Sequence, residues 1–302
     1  MLLAPIILFV YNRLRHTHIT VEALQDNELA NKSQLIIYSD GAQNPSDENS
    51  VKKVRQYIHS INGFKDIQII EHEKNHGLAN SIIQGVTDVI ENNKKAIVLE
   101  DDIVTSPYFL RFMNQALEVY EDKQKVMHIS GYMFPIDRTD LPETFFYRSP
   151  SCWGWATWKR AWNHFDRDIK KILNSFSKSQ IKSFNLDGYN NFWLQIKQNK
   201  SKKINTWAIF WYASVFKQGG LCLHPSISMT KNIGHDGSGI NCGATGVYNV
   251  ELAKNPIKRF ENNITENSEV ILRLKDFYHR MKPSAFKKIA LKSLSPFKLF
   301  AR

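Results

Sequence analysis

The sequence predicts an α/β fold: a mainly parallel sheet flanked by helices, with an elaborated C-terminal half. Three observations lead there. Short apolar, β-branched-rich runs recur at Pro5–Tyr11, Gln34–Ser39, Ile67–Glu71 and Ala96–Leu99. Helical periodicity fills the stretches between them. The runs are apolar at successive rather than alternate positions, as expected of strands covered on both faces.

Each element follows from its spacing. Thr17–Leu29 reads as the first helix. Ser50–Asn62 places Val51, Val54, Tyr57, Ile58 and Ile61 on one face, and Gly77–Asn92 does the same with Leu78, Ile82, Ile83, Val86, Val89 and Ile90. Tyr108–Tyr120 is a further helix and Val126–Ser130 a further strand. Beyond Pro107 the regularity weakens. Ser151–Phe165 holds Trp153, Trp155, Trp158 and Trp162, Asn205–Phe216 is aromatic again, and Gly234–Gly243 is a glycine-rich loop. No repeat or low-complexity linker separates the parts, so residues 108–275 read as built onto residues 1–107. A basic tail follows over 276–302.

Composition narrows the class. A chain of 302 residues, 42% hydrophobic and 12% aromatic, buries a sizeable core and is not a disordered polymer. Three cysteines (Cys152, Cys222, Cys242) make neither a disulfide framework nor a structural zinc site, which suits a reducing, cytoplasmic setting. Met1–Val10 is apolar but too short for a membrane span and lacks the flanks of a signal peptide, so a buried strand is expected. The net charge is +11, yet seven of the forty basic residues and none of the acidic ones fall after Asp276. The body is therefore close to balanced, and no nucleic-acid partner is implied.

Ligands of open α/β sheets bind outside the carboxyl ends of the strands. Those ends carry Asn12-Arg13, Ser39-Asp40-Gly41 and Glu100-Asp101-Asp102. There is no G-x-G-x-x-G after the first strand and no G-x-x-x-x-G-K-[ST], which takes most of the weight from dinucleotide and P-loop readings. Three adjacent carboxylates repel one another unless a cation or donors compensate, and Mg²⁺ or Mn²⁺ favours such oxygen ligands together with substrate phosphates. The plainer alternative is an acidic helix entry that complements the dipole of the Tyr108 helix. Placement after the fourth strand of the series favours the cation.

With Phe9-Val10-Tyr11-Asn12-Arg13, Ser39-Asp40-Gly41, Asn75-His76-Gly77-Leu78, Val98-Leu99-Glu100-Asp101-Asp102, Trp153-Gly154-Trp155 and Gly234-His235-Asp236-Gly237 in view, residues 4–245 resemble the GT-A-type nucleotide-sugar glycosyltransferases. Within these they are most similar to the family-2-like bacterial sugar transferases and the N-acetylglucosaminyltransferase I group. The resemblance implies metal-dependent transfer from a nucleotide diphosphate donor, UDP-linked, to a saccharide or lipid-linked saccharide acceptor. Residues 1–107 would then be the nucleotide-binding half and 108–275 the acceptor half. Arg13 and Asp40 would flank the base, and His76 and Gly77 would line the donor pocket. Glu100 and Asp101 would contact ribose and sugar, and Asp102 and His235 the Mn²⁺ or Mg²⁺.

The resemblance leaves the catalytic base open. Related enzymes carry an aspartate in the segment matching Asn205–Trp211, and this chain has no acid there. Asp236, beside His235, and Asp187, in an Asp-Gly pair that also suits a turn, are the replacements. Trp153 and Trp155 are the substrate candidates, at least one of them expected to face the donor or acceptor sugar, and Cys152 is expected to be a small buried residue. In Ser284–Ser295, Phe286, Ile289, Ala290 and Leu294 oppose Lys287, Lys288 and Lys292, a pattern suited to an anionic membrane surface. Work on bacterial surface polysaccharide (O-antigen, capsule) at the inner face of the cytoplasmic membrane is the corresponding expectation. A sugar-phosphate nucleotidyltransferase, which would need a glycine-rich loop after the first strand, and a non-catalytic saccharide-binding protein are the competing classes.

Overall fold

A computed structural model describes residues 2–237 and 245–281. The chain begins β1 (Ile6–Val10), α1 (Leu14–Gln25), β2 (Gln34–Ser39), α2 (Glu48–Ile58), β3 (Asp66–Glu71), α3 (Leu78–Asn93) and β4 (Lys95–Glu100). It continues through β5 (Ile103–Thr105), α4 (Phe109–Val119), β6 (Val126–Ser130), β7 (Thr144–Tyr147) and β8 (Trp155–Trp158). Helices α5 (Lys159–Trp162), α6 (Ile169–Ser175), α7 (Lys178–Phe184), α8 (Phe192–Lys200) and α9 (Ala208–Lys217) follow. Then come β9 (Leu221–Pro225), β10 (Thr230–Asn232) and α10 (Ser268–Met281).

Eight strands form one sheet in the order β3-β2-β1-β4-β8-β6-β9-β7. The first four are mutually parallel; β8 runs against both β4 and β6, and β7 runs against β9. The expected mainly parallel α/β sheet is therefore present, and both halves of the sequence share it. The chain moves outward from β1 through β2 to β3, then returns to place β4 on the other side of β1. That reversal opens a crevice between the carboxyl ends of β1 and β4.

Strand alternation divides the core. Ile6, Leu8 and Val10 of β1 face a cluster with Val21 and Leu24 of α1, Val54 and Ile58 of α2, and Phe112 and Met113 of α4. Ile7 and Phe9 face the opposite cluster, with Ile82 and Val86 of α3 and Trp211 and Val215 of α9. Helices α6 to α9 close a separate cluster around Phe184, Trp193 and Phe210, while α10 packs Val270, Ile271 and Leu274 on Phe145 and Tyr147 of β7.

Several expectations need correction. The first helix spans Leu14–Gln25 and so starts and stops earlier than expected; Leu29, beyond its end, takes a left-handed backbone (φ 78°) and does not continue it. β3 is an edge strand, half-buried rather than covered on both faces. β5 pairs antiparallel with β10 in a two-stranded ribbon that local periodicity did not predict. The tail boundary expected at 276 falls inside α10, and the amphipathic stretch Ser284–Ser295 lies outside the described residues. Among the described residues no helix is long and apolar enough to cross a membrane.

Candidate functional site

The crevice between β1 and β4 is where the first polar residues after each strand meet. Arg13 ends the turn after β1, and Nη2 of its guanidinium donates to Oδ1 of Asp101 and, at 2.8 Å, to Oδ2 of Asp102. Thr20 of α1 donates through Oγ1 to the Asp101 carbonyl at 2.8 Å, which fixes the turn leaving β4. Asp101 and Asp102 are only 4% and 7% exposed. Burial, opposed by Arg13 and reinforced by Asp102, pushes the Asp101 carboxyl up to about 6. Burial and the charges of Asp102 and Asp101 push Glu100 up to about 8. The two acidic neighbours raise the Arg13 guanidinium despite its own partial burial.

The ribbon of β5 and β10 brings a distant segment over this corner. The amide of Ile233 donates to the Asp102 carbonyl at 2.9 Å, and that of Gly234 to Oδ1 of Asn232 at 2.7 Å. A Cβ at Gly234 would lie 2.1 Å from Oδ2 of Asp102 and 3.2 Å from Nη1 of Arg13, so only glycine permits the approach. His235 follows, its ring 5.1 Å from that of Trp153 and 5.2 Å from that of Tyr248. Asp236 reaches back to α1, with Oδ2 3.0 Å from Nε2 of His16, and stays 46% exposed.

A divalent cation must be judged against these side chains. Oδ2 of Asp101, Oδ1 of Asp102 and both ring nitrogens of His235 are buried, with no hydrogen-bond partner among the described residues. Buried polar atoms are seldom left so. No three His, Cys, Asp or Glu side chains among the described residues converge closely enough to hold a metal ion. An ion held here would therefore draw only part of its coordination from the protein and the rest from a diphosphate and water, as Mg²⁺ commonly does.

Asp40 has work of its own. Its Oδ1 accepts from the amides of Gly41 (3.0 Å) and His76 (2.8 Å), and its Oδ2 from that of Gly77 (2.9 Å). It thereby shapes the loop entering α3. His76 stacks on His72, with centroids 4.1 Å apart. Arg55 donates to the His72 carbonyl at 2.7 Å and pairs with Glu71 at 3.2 Å, tying the ends of β2 and β3 together. His16, Arg55 and His72 were missed in the sequence because each sits within an ordinary helix or strand-end pattern with no motif around it.

The two tryptophans separate. Trp155 is 1% exposed and stacks with Trp207 at 5.2 Å and with His128 at 5.3 Å, which corrects the expectation that it faces a sugar: it is a core residue. Trp153, half-buried on the other side of Gly154 (φ 74°), lines a cavity of about 610 Å³. Aromatic side chains dominate the wall (Phe134, Phe192, Tyr212, Tyr248 and Tyr278), with Asn190, Gln195, Ser149 and Ser151 supplying polar groups. Among the described residues no Lys, Arg, Asp or Glu lines it, and His235 stands at the boundary with the acidic corner. Cys152, also in the wall, has its thiol pushed well up by burial and by Glu100. Asp187 does not join the acidic corner. Its oxygens pair with Arg148 at 3.3 Å and Lys275 at 2.7 Å. Partial burial works to raise its carboxyl, but the Lys275 hydrogen bond and both cations hold it below the usual range, which makes it a poor proton acceptor.

No protein-family model matches the chain. No curated protein matches it either. Among solved structures, it is similar to the mannosyltransferase PcManGT from Pyrobaculum calidifontis in complex with GDP-Man and Mn²⁺. Identity is 9% over 72% of this chain and 69% of that one, with a TM-score of 0.41. It is also similar to TarS of S. aureus, at 10% identity over 47% of this chain and 24% of that one, with a TM-score of 0.31. Likeness this distant says nothing of what the chain binds.

Proposed function

We propose that the protein is a metal-dependent glycosyltransferase that moves a sugar from a nucleotide diphosphate donor, UDP-linked, to a saccharide acceptor. The observation that carries this reading is the pair Asp101 and Asp102. They are buried at the strand-order reversal, and each keeps one oxygen without a partner among the described residues. A divalent cation bound there supplies positive charge to a departing diphosphate. Asp102 and His235 are its protein ligands in this reading. Arg13 and the loop shaped by Asp40 flank the base, His76 and Gly77 border the donor, and Glu100 and Asp101 serve ribose and sugar.

The cavity beside Trp153 is the acceptor site in this reading. Aromatic faces suit the C–H surfaces of a pyranose, while amides and hydroxyls suit its hydroxyl groups. Among the described residues the wall offers no charged side chain, so an uncharged acceptor ring suits it, with any phosphorylated lipid anchor outside the cavity. Asp236 is the carboxylate that takes the acceptor proton, because Asp187 is already committed to two cations. Surface-polysaccharide synthesis at the inner membrane face, with the basic tail on anionic lipid, extends the same proposal.

A donor screen by nucleotide release, with and without EDTA, tests the reading. UDP release from one UDP-sugar should need Mn²⁺ or Mg²⁺, and Asp102→Ala should lower it at least a hundredfold while the far-UV spectrum stays unchanged. Turnover indifferent to EDTA and to Asp102→Ala would overturn it.

A further inference from the structure

The wall that carries Trp153 is not held by a sheet. β7 ends at Tyr147 and β8 begins at Trp155. Among the described residues no backbone–backbone hydrogen bond reaches residues 149–153. Buried carbonyls still need donors, and three side chains supply them. Nε2 of His224 lies 3.1 Å from the Ser149 carbonyl, nearer than its Nδ1 is to that of Tyr132 (3.4 Å), so the hydrogen sits on Nε2. With its Nδ1 taken by the indole of Trp211, His128 donates through Nε2 to the Ser151 carbonyl at 3.0 Å. Oγ1 of Thr230 donates to the Trp153 carbonyl at 2.6 Å. Oγ of Ser130 accepts from the Ser151 amide at 3.1 Å. The three donors come from β9, β6 and β10, and each is 0% exposed. They take every second carbonyl of a segment whose five residues, 149 to 153, all line the aromatic cavity.

We infer that His128, His224 and Thr230 are positioning residues for the saccharide: a ladder of side-chain donors that sets where Trp153 and the two serines stand in the cavity. The inference rests on the acceptor reading of that cavity and adds what determines its shape. A backbone ladder would hold the wall whatever side chains its partner strand carried. Here each rung depends on one side-chain hydrogen, and an apolar group of the same shape in its place leaves a buried carbonyl that turns to find another donor. The indole face and the serine hydroxyls then leave the positions from which they meet a pyranose. β10 is also paired with β5 through its backbone, so the segment over the acidic corner does not depend on the Thr230 hydroxyl. Loss of a rung is therefore read in saccharide binding and not in nucleotide binding.

The test is binding to the full chain, by saturation-transfer NMR and calorimetry, of the tightest of a panel of methyl pyranosides (gluco, galacto, manno and the N-acetylhexosamines), beside UDP. Thr230→Val keeps the shape and removes the hydroxyl. It should weaken the pyranoside at least fivefold and leave UDP affinity within about twofold. Thr230→Ser, which restores the donor, should return pyranoside affinity to within about twofold of the wild type. His224→Met should act like Thr230→Val from the far end of the ladder. His224→Gln, which carries an N–H at the same reach as Nε2, should act like Thr230→Ser. If the histidine variants do not fold, the Thr230 pair decides. Native pyranoside affinity in folded Thr230→Val, equal losses for pyranoside and UDP, or no recovery in Thr230→Ser overturns the ladder and leaves the transferase reading standing. If the wild type binds no pyranoside, with UDP or without it, the acceptor reading of the cavity falls and this inference falls with it.

Discussion

The indole Nε1–H of Trp211 donates to Nδ1 of His128 across 3.0 Å, and this fixes the protonation of a buried histidine. With Nδ1 accepting, Nε2 carries the hydrogen and donates it to the Ser151 carbonyl at 3.0 Å, in the wall of the aromatic cavity. A second proton on the ring would break the indole bond. Burial pushes His128 down to about 3, and burial together with the neighbouring His128 pushes His224 down to about 3.

A pH dependence follows, and its sign is determined by which state binds the proton. In the unfolded chain these histidines take up protons near pH 6.5, and in the folded chain only near 3. Their contribution is therefore complete above about pH 6.5 and declines as the pH falls toward 3, by about 1.4 kcal/mol per pH unit for each ring. Glu100, with its pKa raised to about 8, works the other way between there and its ordinary range. The histidine share is thus read as a difference. Urea unfolding of wild type and His128→Asn should diverge in pH slope between pH 7.5 and 5.0, with the variant flatter. Parallel slopes would sink the assignment.

Asp40 supports the loop entering α3 through three backbone amides. Asp40→Ala leaves those donors without their acceptor, a loss of about 1–3 kcal/mol for a buried unsatisfied group. The local consequence is sharper than the global one. Hydrogen exchange at His76 and Gly77 should accelerate at least tenfold, and UDP should bind more weakly. Unchanged exchange at both amides would show that the loop is held by something else.

Gly234 tests the packing of the ribbon segment on the acidic corner. A methyl group there meets Oδ2 of Asp102 at 2.1 Å and forces either the segment or the carboxylate aside. Gly234→Ala should cost about 1–3 kcal/mol of stability, as overpacking does. It should also weaken Mn²⁺ binding in the presence of UDP by an order of magnitude or more. A variant with native stability and native Mn²⁺ binding would mean that the segment stands away from Asp102 in solution.

The rim that carries Arg13, Asp40 and Asp102 was legible because parallel strands end in polar residues at a common edge, and the apolar runs mark those ends. Glu100-Asp101-Asp102 stands out for the same reason: three carboxylates after a buried strand need an explanation. What could not be read was the part built by distant pairing. Thr230–Asn232 pairs with Ile103–Thr105 from the far side of the chain, and nothing local in either segment announces it. Yet that ribbon brings Gly234, His235 and Asp236 over the acids, and with them the partner His16. The tryptophans failed differently. Trp153 and Trp155 differ by two positions and look alike in sequence, but the left-handed turn at Gly154 sends one to the cavity wall and the other into the core.

That separation is itself testable. Trp155→Ala empties a fully buried position and should destabilise the fold by about 3–5 kcal/mol. Trp153→Ala should change stability less and raise the KM for the saccharide acceptor, with the KM for the donor nearly unchanged. Equal effects of the two substitutions on acceptor KM would refute the division of roles.

The last prediction distinguishes the two aspartates. Asp236 lies at an exposed edge against His16, next to His235, whose buried ring nitrogens have no hydrogen-bond partner among the described residues, whereas Asp187 is locked between Arg148 and Lys275. A group that accepts a proton in the transition state affects kcat more than ground-state binding. Asp236→Asn should therefore lower kcat a hundredfold or more while UDP affinity stays within about twofold, because general-base contributions run to ~10²–10⁴. Asp187→Asn should leave kcat near the wild-type value. Its effect belongs to stability, about 1 kcal/mol, because it weakens a half-exposed ion-pair cluster. Steady-state kinetics on both variants beside their urea midpoints gives the answer. A normal kcat for Asp236→Asn, or a collapsed one for Asp187→Asn in a folded protein, would reverse the assignment and point to a base supplied from the other side of the cavity.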